Sequence, residues 1–248
     1  MLLVHVRHAG SQRLRRGELI AGATVLVLIL VAVGVLVERD RAASKASAAA
    51  AASEAFVYHG PYAPITPAAG DSVTMAQPGV TKPVLNIYED YQCSICDQFE
   101  LANGGPIEKL ADQGRVKVVY HLFTIFLGSQ PRQANSTRAW AAAKCVPAGS
   151  WVRYHDLLYE NQPSETAVNG FPVTQLLALG QRIGLTSPGF IQCVTSQRYA
   201  AQIVPLSTLI NKHGINATPT VLLNGRSLSL TTLVSTTGAL AEVIRAAH

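Results

Sequence analysis

The sequence has few charged residues, and beyond residue 55 they are nearly balanced in sign. Charged side chains make up 14% of the 248 residues, and the formal net charge is +5. Residues 1–55 hold seven Lys or Arg against four Asp or Glu, whereas residues 56–248 hold thirteen against eleven. Much of the basic excess therefore lies near the N-terminus, and we expect no nucleic-acid binding from the rest of the chain.

Cysteine is also scarce, with four residues at positions 93, 96, 145 and 193. A finger-type zinc site needs a second cysteine pair or a closely spaced histidine pair, and neither accompanies Cys93 and Cys96. These spacings disfavour a metal site, and we assign no metal and no cofactor. An even number of cysteines suits two disulfides, but sequence spacing does not fix the connectivity.

One apolar run, residues 19–37, contains no charged residue. As a helix it would span about 29 Å, close to the roughly 30 Å of a bilayer core. We predict a transmembrane helix or an uncleaved signal anchor here. A cleaved signal peptide is the alternative, because Ala-x-Ala matches occur at 42–52. Both interpretations send the rest of the chain across the membrane.

The surroundings of this run suggest a single-pass protein of the cell membrane. A small excess of arginine before the run makes residues 1–18 cytoplasmic and places the larger part outside the cytoplasm. Residues 38–71 are rich in Ala and Ser and then in Pro and Gly, which predicts a flexible tether. Residues 72–248 form the predicted folded domain.

In the folded part, the pattern predicts strand, helix, strand, a long helical block, a hairpin and a final helix. The apolar runs 84–88 and 116–123 are typical of strands. The helix between them should begin at Cys93 or Ser94, and the Asn-Gly-Gly-Pro sequence at 103–106 should interrupt it before it ends near Gly114. From about 130 to 213 the candidate helices are 134–146, 151–160, 173–183 and 190–213. Asn224-Gly225 predicts a hairpin turn after a strand that follows Thr218-Pro219, with a partner strand at 227–230 and a helix at 231–247.

A Cys-x-x-Cys sequence after a strand and at a helix start indicates thiol–disulfide chemistry. The thiolate is the nucleophile, and the positive end of the helix dipole favours a thiolate at this position. Cys93 is thus the predicted attacking thiol, and Cys96 is close enough to resolve the mixed disulfide.

Cys145 and Cys193 lie in the helical block and have two interpretations. If bonded, they close a loop of 48 residues, which is worth on the order of 4 kcal/mol in the chain-entropy model. Otherwise they are two buried free thiols. An oxidising compartment favours a structural disulfide.

The blocks VLNIYEDYQCSIC and NATPTVLLNG resemble the DsbA-type thioredoxin-like family, especially the membrane-anchored DsbA-like proteins of actinobacteria. The resemblance covers about residues 72–247. It implies an α/β thioredoxin-like fold with an inserted helical domain at about 130–213. It also implies that Thr218 and Pro219 form the cis-proline loop facing Cys-x-x-Cys, and that Cys145 and Cys193 match a second disulfide present in several actinobacterial relatives.

Two departures from the family pattern concern the active-site neighbours. The best-known oxidase of the family has Pro-His between its cysteines, whereas this chain has Ser94 and Ile95, and Ile95 cannot donate a hydrogen bond to the thiolate. The buried carboxylate of thioredoxin-like proteins lies six residues before the first cysteine, where this chain has Ile87. Glu89 shares that strand parity and is a candidate proton acceptor for Cys96.

A solvated acid at the strand end is an equal alternative for Glu89, and Asp90 is a weaker candidate. The histidines at 121, 155 and 213 are unclustered in sequence, and we assign them no role.

The resemblance implies an oxidase that donates disulfides to unfolded or reduced exported proteins and is re-oxidised by a membrane quinone-linked enzyme. We expect a monomer, because no dimerisation module of the kind found in DsbC-like isomerases is evident. A reductase that keeps haem-attachment cysteines reduced during cytochrome c maturation would use the same residues. A non-catalytic metal carrier on a thioredoxin scaffold and a silent peptide-binding module are alternatives of other classes.

Overall fold

The computed structural model describes residues 58, 60–67 and 72–247. The predicted N-terminal segment (1–18), the predicted transmembrane helix (19–37) and most of the predicted tether lie outside these residues. Among the described residues, no helix combines the length and the apolar composition needed to cross a membrane.

The centre of the described part is a six-stranded mixed sheet in the order β1-β2-β4-β3-β5-β6. Its strands are β1 (Ile65–Pro67), β2 (Val73–Met75), β3 (Val84–Glu89), β4 (Lys117–Leu122), β5 (Thr220–Leu223) and β6 (Arg226–Ser227). The central strands β3 and β4 are parallel, and all other neighbouring pairs are antiparallel. The predicted strands at 84–88 and 116–123 are confirmed, as is the hairpin at Asn224 and Gly225, although β6 is shorter than predicted. Both turn residues have positive φ, at 51° and 80°, as a two-residue hairpin of this type requires.

The first strand lies inside the segment predicted as a tether. Ile65 pairs with Met75 on β2, and the neighbouring Ala63 is buried. The folded domain therefore begins before residue 72. The signal for a strand is weak here because a three-residue edge strand that ends in Pro67 looks like a Pro-rich linker.

Eight helices are described, and five of them lie between β4 and β5. The helices are α1 (Ser94–Asp112), α2 (Arg132–Ala143), α3 (Trp151–Glu160), α4 (Val173–Arg182), α5 (Pro188–Thr195), α6 (Ile203–Lys212), α7 (Leu230–Ser235) and α8 (Ala239–Arg245), with short 3-10 turns at Ala148–Ser150 and Ala200–Gln202. Helices α2 to α6 confirm the predicted α/β fold with a helical insertion. The single helices predicted at 190–213 and 231–247 are wrong, because each is divided by a residue with positive φ, Gln197 at 49° and Gly238 at 75°.

Helix α1 continues through Pro106, so the predicted interruption at the Asn-Gly-Gly-Pro sequence is also wrong. Proline removes the N–H that would bond the carbonyl of Ala102. The Gly238 N–H from the loop before α8 donates to that carbonyl instead, at 3.1 Å. The Asn103 side chain donates to the Leu233 carbonyl of α7 at 2.7 Å. The C-terminal part of the chain thus supplies hydrogen bonds to α1 at the point where it continues through Pro106.

Candidate active site

The thiols of Cys93 and Cys96 lie at the start of α1, after a short turn that follows β3. The Cys93 N–H donates to the Asp90 carbonyl at 3.0 Å, and the Cys93 carbonyl accepts from the Asp97 N–H at 3.1 Å. Cys93 takes the N-cap position with extended backbone angles. Both residues are free thiols; Cys93 is 7% exposed and Cys96 is fully buried. This difference in burial suits an attacking thiol and an inner resolving thiol.

The surroundings of Cys93 favour its thiolate. A hydrogen bond with the Cys96 thiol lowers the pKa of Cys93 to about 7; burial opposes this shift, and the Thr218 side chain and the backbone amides of Cys96 and Ile95 support it. A substantial part of Cys93 is therefore ionised at neutral pH. Burial raises the pKa of Cys96 well above its usual value, and the nearby thiol of Cys93 and carboxylate of Glu89 add to the rise.

The loop before β5 places Thr218 and Pro219 against the dithiol. The Thr218–Pro219 peptide bond is cis, and the Cys93 Sγ donates to the Thr218 carbonyl at 3.4 Å. The Thr218 hydroxyl has no hydrogen-bond partner among the described residues. It is therefore available to donate to Cys93 once the thiol has ionised.

The two residues between the cysteines, Ser94 and Ile95, are both exposed. The Ser94 N–H donates to Glu165 Oε1 at 2.9 Å, and Glu165 also lies 3.7 Å from Arg132. Sequence reasoning missed Glu165, because it lies in a loop of the helical insertion far along the chain. Its carboxylate occupies the position where a helix N-terminus attracts an anion, next to the reactive sulfur.

Asp90, the weaker acidic candidate, has a structural role. Its carboxylate accepts hydrogen bonds from the Gln92 and Ile125 amides at 2.9 and 3.0 Å and from the Thr124 hydroxyl at 3.1 Å. The Ser136 hydroxyl of α2 donates to the same carboxylate. Asp90 therefore joins the turn before Cys93 to the loop after β4 and to the insertion.

Glu89 is fully buried at the end of β3, so its interpretation as a solvated strand-end acid is wrong. Burial raises the pKa of Glu89 well above its usual value, and the nearby carboxylate of Glu100 adds to the rise. Glu100 and His155 are each 1% exposed. The His155 Nε2 lies 4.0 Å from Glu89 Oε1 and 3.8 Å from Glu100 Oε2. The role of Glu89 as proton acceptor for Cys96 stays a prediction. Glu89 has two buried neighbours, Glu100 and His155, that the sequence did not reveal.

These three residues are also the described group that could hold a metal ion. Each offers one ligand atom, and the three atoms lie within 4.8 Å of one another. A histidine nitrogen and two carboxylate oxygens suit a divalent transition metal by donor type.

The remaining candidates lie away from this cluster. The His121 ring stacks on Tyr88 with centroids 4.2 Å apart and bonds Asn86 at 3.0 Å, and His213 is exposed at the end of α6. Cys145 and Cys193 form a disulfide with an S–S distance of 2.06 Å that joins the segment after α2 to α5. It lies within the insertion and leaves the Cys93 and Cys96 thiols as a separate pair.

A family model described as Thioredoxin matches residues 80–240, and no curated protein sequence matches significantly. The solved structure of reduced DsbG, a disulfide bond oxidoreductase from Mycobacterium tuberculosis, is 27% identical; the match covers 73% of this chain and 96% of that chain with a TM-score of 0.56. Oxidised DsbA from the same organism is 28% identical, with 70% and 94% covered and a TM-score of 0.53.

A further solved structure supports the fold. MdbA, a thiol–disulfide oxidoreductase from Corynebacterium diphtheriae, is 19% identical, with 71% and 95% covered and a TM-score of 0.59. The Thioredoxin model spans well over half of the chain, including both cysteines and Pro219. The chain therefore belongs to the thioredoxin family, as a thiol–disulfide oxidoreductase of the DsbA type.

Proposed function

We propose that the chain is an oxidase that donates the Cys93–Cys96 disulfide to reduced or unfolded exported proteins outside the cytoplasm. The observation that supports this proposal is the position of Cys93 at the start of α1, where it is 7% exposed and its Sγ lies 3.4 Å from the Thr218 carbonyl. A hydrogen bond with the Cys96 thiol also lowers the pKa of Cys93 to about 7. A stabilised thiolate stabilises the reduced form of the pair, and the pair therefore becomes a better oxidant.

The surface around Cys93 supports an extended substrate. Thr218 and Pro219 precede β5 directly, and Ile95, between the two cysteines, is 39% exposed. A substrate strand could bond to backbone groups of this loop while its cysteine approaches Cys93, as in strand addition. This arrangement requires little of the substrate sequence, which suits a donor that acts on many proteins.

The compartment and partners are part of the same proposal. The apolar run at 19–37 would anchor the chain in the cell membrane, and the Cys145–Cys193 disulfide suits an oxidising compartment. After each donation the reduced dithiol needs an electron acceptor, for which we propose a membrane quinone-linked enzyme. The described domain would act as a monomer.

A reductase is the second candidate, and one observation favours it. The carboxylate of Glu165 accepts a hydrogen bond from the Ser94 N–H at the start of α1. At that position its negative charge repels a thiolate on Cys93. Negative charge at this position destabilises the reduced form and lowers the potential of the pair.

The equilibrium potential of the Cys93–Cys96 pair separates the two functions. We would equilibrate the full chain, in detergent, with reduced and oxidised glutathione. A Cys145→Ala/Cys193→Ala variant would ensure that only one dithiol is counted. A potential of about −120 to −180 mV supports the oxidase, whereas a value of about −270 mV, like that of thioredoxin, overturns it in favour of the reductase. A chain that never forms the Cys93–Cys96 disulfide would contradict both.

A further inference from the structure

Three buried polar side chains from different parts of the fold meet at one point. Glu89 ends β3, and Glu100 lies on α1, one turn beyond Cys96. His155 comes from α3 of the helical insertion. The three side chains are 0%, 1% and 1% exposed. The sheet, the active-site helix and the insertion therefore each bring one metal-ligating group to the same place.

The polar atoms of this cluster lack the hydrogen bonds that buried groups normally have. Among the described residues, no partner satisfies the four carboxyl oxygens of Glu89 and Glu100 or the Nε2 of His155. The Tyr159 hydroxyl lies near Glu89, but it makes no hydrogen bond of normal geometry. Because an unsatisfied buried polar atom is unfavourable, five such atoms at one point indicate a missing ligand.

The cluster also lacks a compensating cation. In the part of the chain that the structure describes, the salt bridges of lysine and arginine involve other acids, and Glu89 and Glu100 face only His155. Glu108, 2% exposed on α1, adds a third carboxyl group close enough to act on Glu100. Buried carboxylates need a partner of opposite charge. One divalent cation would balance the charges of Glu89 and Glu100.

His155 is oriented for ligation through its other ring nitrogen. Its Nδ1 lies 3.0 Å from the Tyr91 hydroxyl, and its ring stacks on Trp151 with centroids 4.8 Å apart. In the tautomer with the proton on Nδ1, the Tyr91 oxygen accepts that proton and Nε2 presents its lone pair to the two carboxyl groups. Metal-binding histidines are held by such an outer hydrogen bond in most sites. Tyr91 is therefore a positioning residue for His155.

The separations between the ligand atoms suit a single ion. Zinc binds histidine nitrogen and carboxylate oxygen at about 2.0–2.2 Å, so two ligands in a tetrahedral site lie about 3.4 Å apart. The His155 Nε2 lies 4.0 Å from Glu89 Oε1 and 3.8 Å from Glu100 Oε2. All three atoms lie within 4.8 Å of one another, and small side-chain rotations would close the remainder. The nitrogen donor disfavours Ca²⁺ and Mg²⁺, which prefer oxygen ligands.

A route for a cation leads from the surface to this cluster. Asp156, next to His155 on α3, is partly exposed, and its Oδ1 is buried. The carboxyl group of Glu108 is within hydrogen-bonding reach of Asp156 and interacts with Glu100 in turn. Carboxyl groups therefore continue from water to the cluster, as the entry of a cation requires.

We propose that Glu89, Glu100 and His155 form a binding site for a divalent transition-metal ion of the zinc type. The ion joins β3, α1 and the helical insertion at one point, so its role is to hold the insertion against the thioredoxin-like part. Three protein ligands leave a fourth position for water. The site uses neither thiol of the Cys93–Cys96 pair, and it is therefore independent of the direction of disulfide exchange.

The test measures metal binding by the full chain in detergent. The chain carries Cys93→Ala and Cys96→Ala, so that no thiol competes for the metal. After treatment with a chelator, Zn²⁺ is added and titrated by calorimetry, and elemental analysis gives the stoichiometry. We expect one Zn²⁺ per chain. At about a 100-fold excess over the dissociation constant, the midpoint of thermal unfolding should rise by about 5 °C or more.

Variants of the ligands assign the site. Glu100→Gln and His155→Gln should each weaken Zn²⁺ binding by at least about 100-fold, more than the loss of an outer contact, and should lose the thermal shift. Tyr91→Phe removes only the outer hydrogen bond and should weaken binding by about 10-fold. Glu160→Gln is the matched control, because it removes a carboxylate of α3 outside the cluster, and it should bind as the parent does. Circular dichroism of the metal-free chains confirms that each variant is folded.

Cobalt identifies the donor atoms. Co²⁺ bound to the reduced wild-type chain should show visible bands of nitrogen and oxygen ligation without the near-ultraviolet charge-transfer band of a thiolate. Tyr91→Phe should give the same spectrum at weaker affinity, because the ligands themselves are unchanged. A thiolate band would place the metal on Cys93 and Cys96 and overturn the site.

Three further results would overturn the proposal. One is the absence of bound Zn²⁺ in the parent chain, which would mean that the two glutamates are buried with a shared proton instead. Another is unchanged binding by folded Glu100→Gln and His155→Gln. A third is Ca²⁺ or Mg²⁺ binding as tight as that of Zn²⁺. None of these affects the proposed function, which fails separately if the wild-type chain never forms the Cys93–Cys96 disulfide.

Discussion

The two cysteine pairs of this protein differ in their spacing along the chain, in their redox state and in the part of the fold that holds them. Cys93 and Cys96 are close in sequence, are reduced, and lie at a helix start, where hydrogen bonds lower the pKa of Cys93 to about 7. Cys145 and Cys193 are 48 residues apart and form a disulfide within the helical insertion. A short pair at a helix N-terminus favours the thiolate and readily re-opens, whereas a long-range pair chiefly restricts the unfolded chain. One cysteine pair therefore serves thiol–disulfide exchange, and the other stabilises the fold.

The largest expected effect distinguishes the two cysteine pairs by their role in disulfide transfer. Changing Cys93→Ser removes the attacking sulfur, so disulfide transfer to a reduced protein should fall to the uncatalysed rate. The Cys145→Ala/Cys193→Ala variant should retain most of that activity, measured by the rate at which thiols disappear from the substrate. If the Cys93 variant remained active, the assignment of the nucleophile would be wrong.

The second effect distinguishes the two cysteine pairs by their contribution to the free energy of unfolding. Removing the Cys145–Cys193 bond should lower the free energy of unfolding by about 2–4 kcal/mol, because the 48-residue loop regains its freedom in the unfolded state. Denaturant titration of the double alanine variant measures the loss. Reduction of the Cys93–Cys96 pair alone, by a mild thiol that leaves the other bond intact, is the control. A larger loss from that reduction would reverse the comparison.

The smallest effect concerns the thiolate itself. Because hydrogen bonding with Cys96 lowers the pKa of Cys93 to about 7, alkylation of Cys93 by iodoacetamide should rise with pH through a midpoint near 7. Cys96, whose pKa burial raises, should stay unmodified across that range. In Glu165→Gln the midpoint should fall by a fraction of a unit, since a negative charge leaves the helix start. Mass spectrometry of quenched samples gives both profiles; a midpoint that rises in Glu165→Gln would contradict this electrostatic role.

Sequence reasoning placed Cys93, Cys96 and Pro219 in a strand, helix-start and loop context that the structure shares, because the signals for that context are local. A strand followed by Cys-x-x-Cys, and an Asn-Gly turn after Thr-Pro, each specify a short stretch of backbone. It failed at Pro106, where the Gly238 N–H supplies the hydrogen bond that the proline displaces. It also assigned no role to His155 and missed Glu165, because both enter the site from the insertion.

By itself, the sequence determined the type of chemistry: two thiols at a helix start, one positioned to attack and the other to resolve. Only the tertiary structure decided how those thiols ionise. The packing of α3 against α1 buries Glu89, Glu100 and His155 together, and this burial raises the pKa of Glu89. The reason is physical: helix starts and turns depend on neighbouring residues, whereas desolvation and charge proximity depend on groups that only folding brings together.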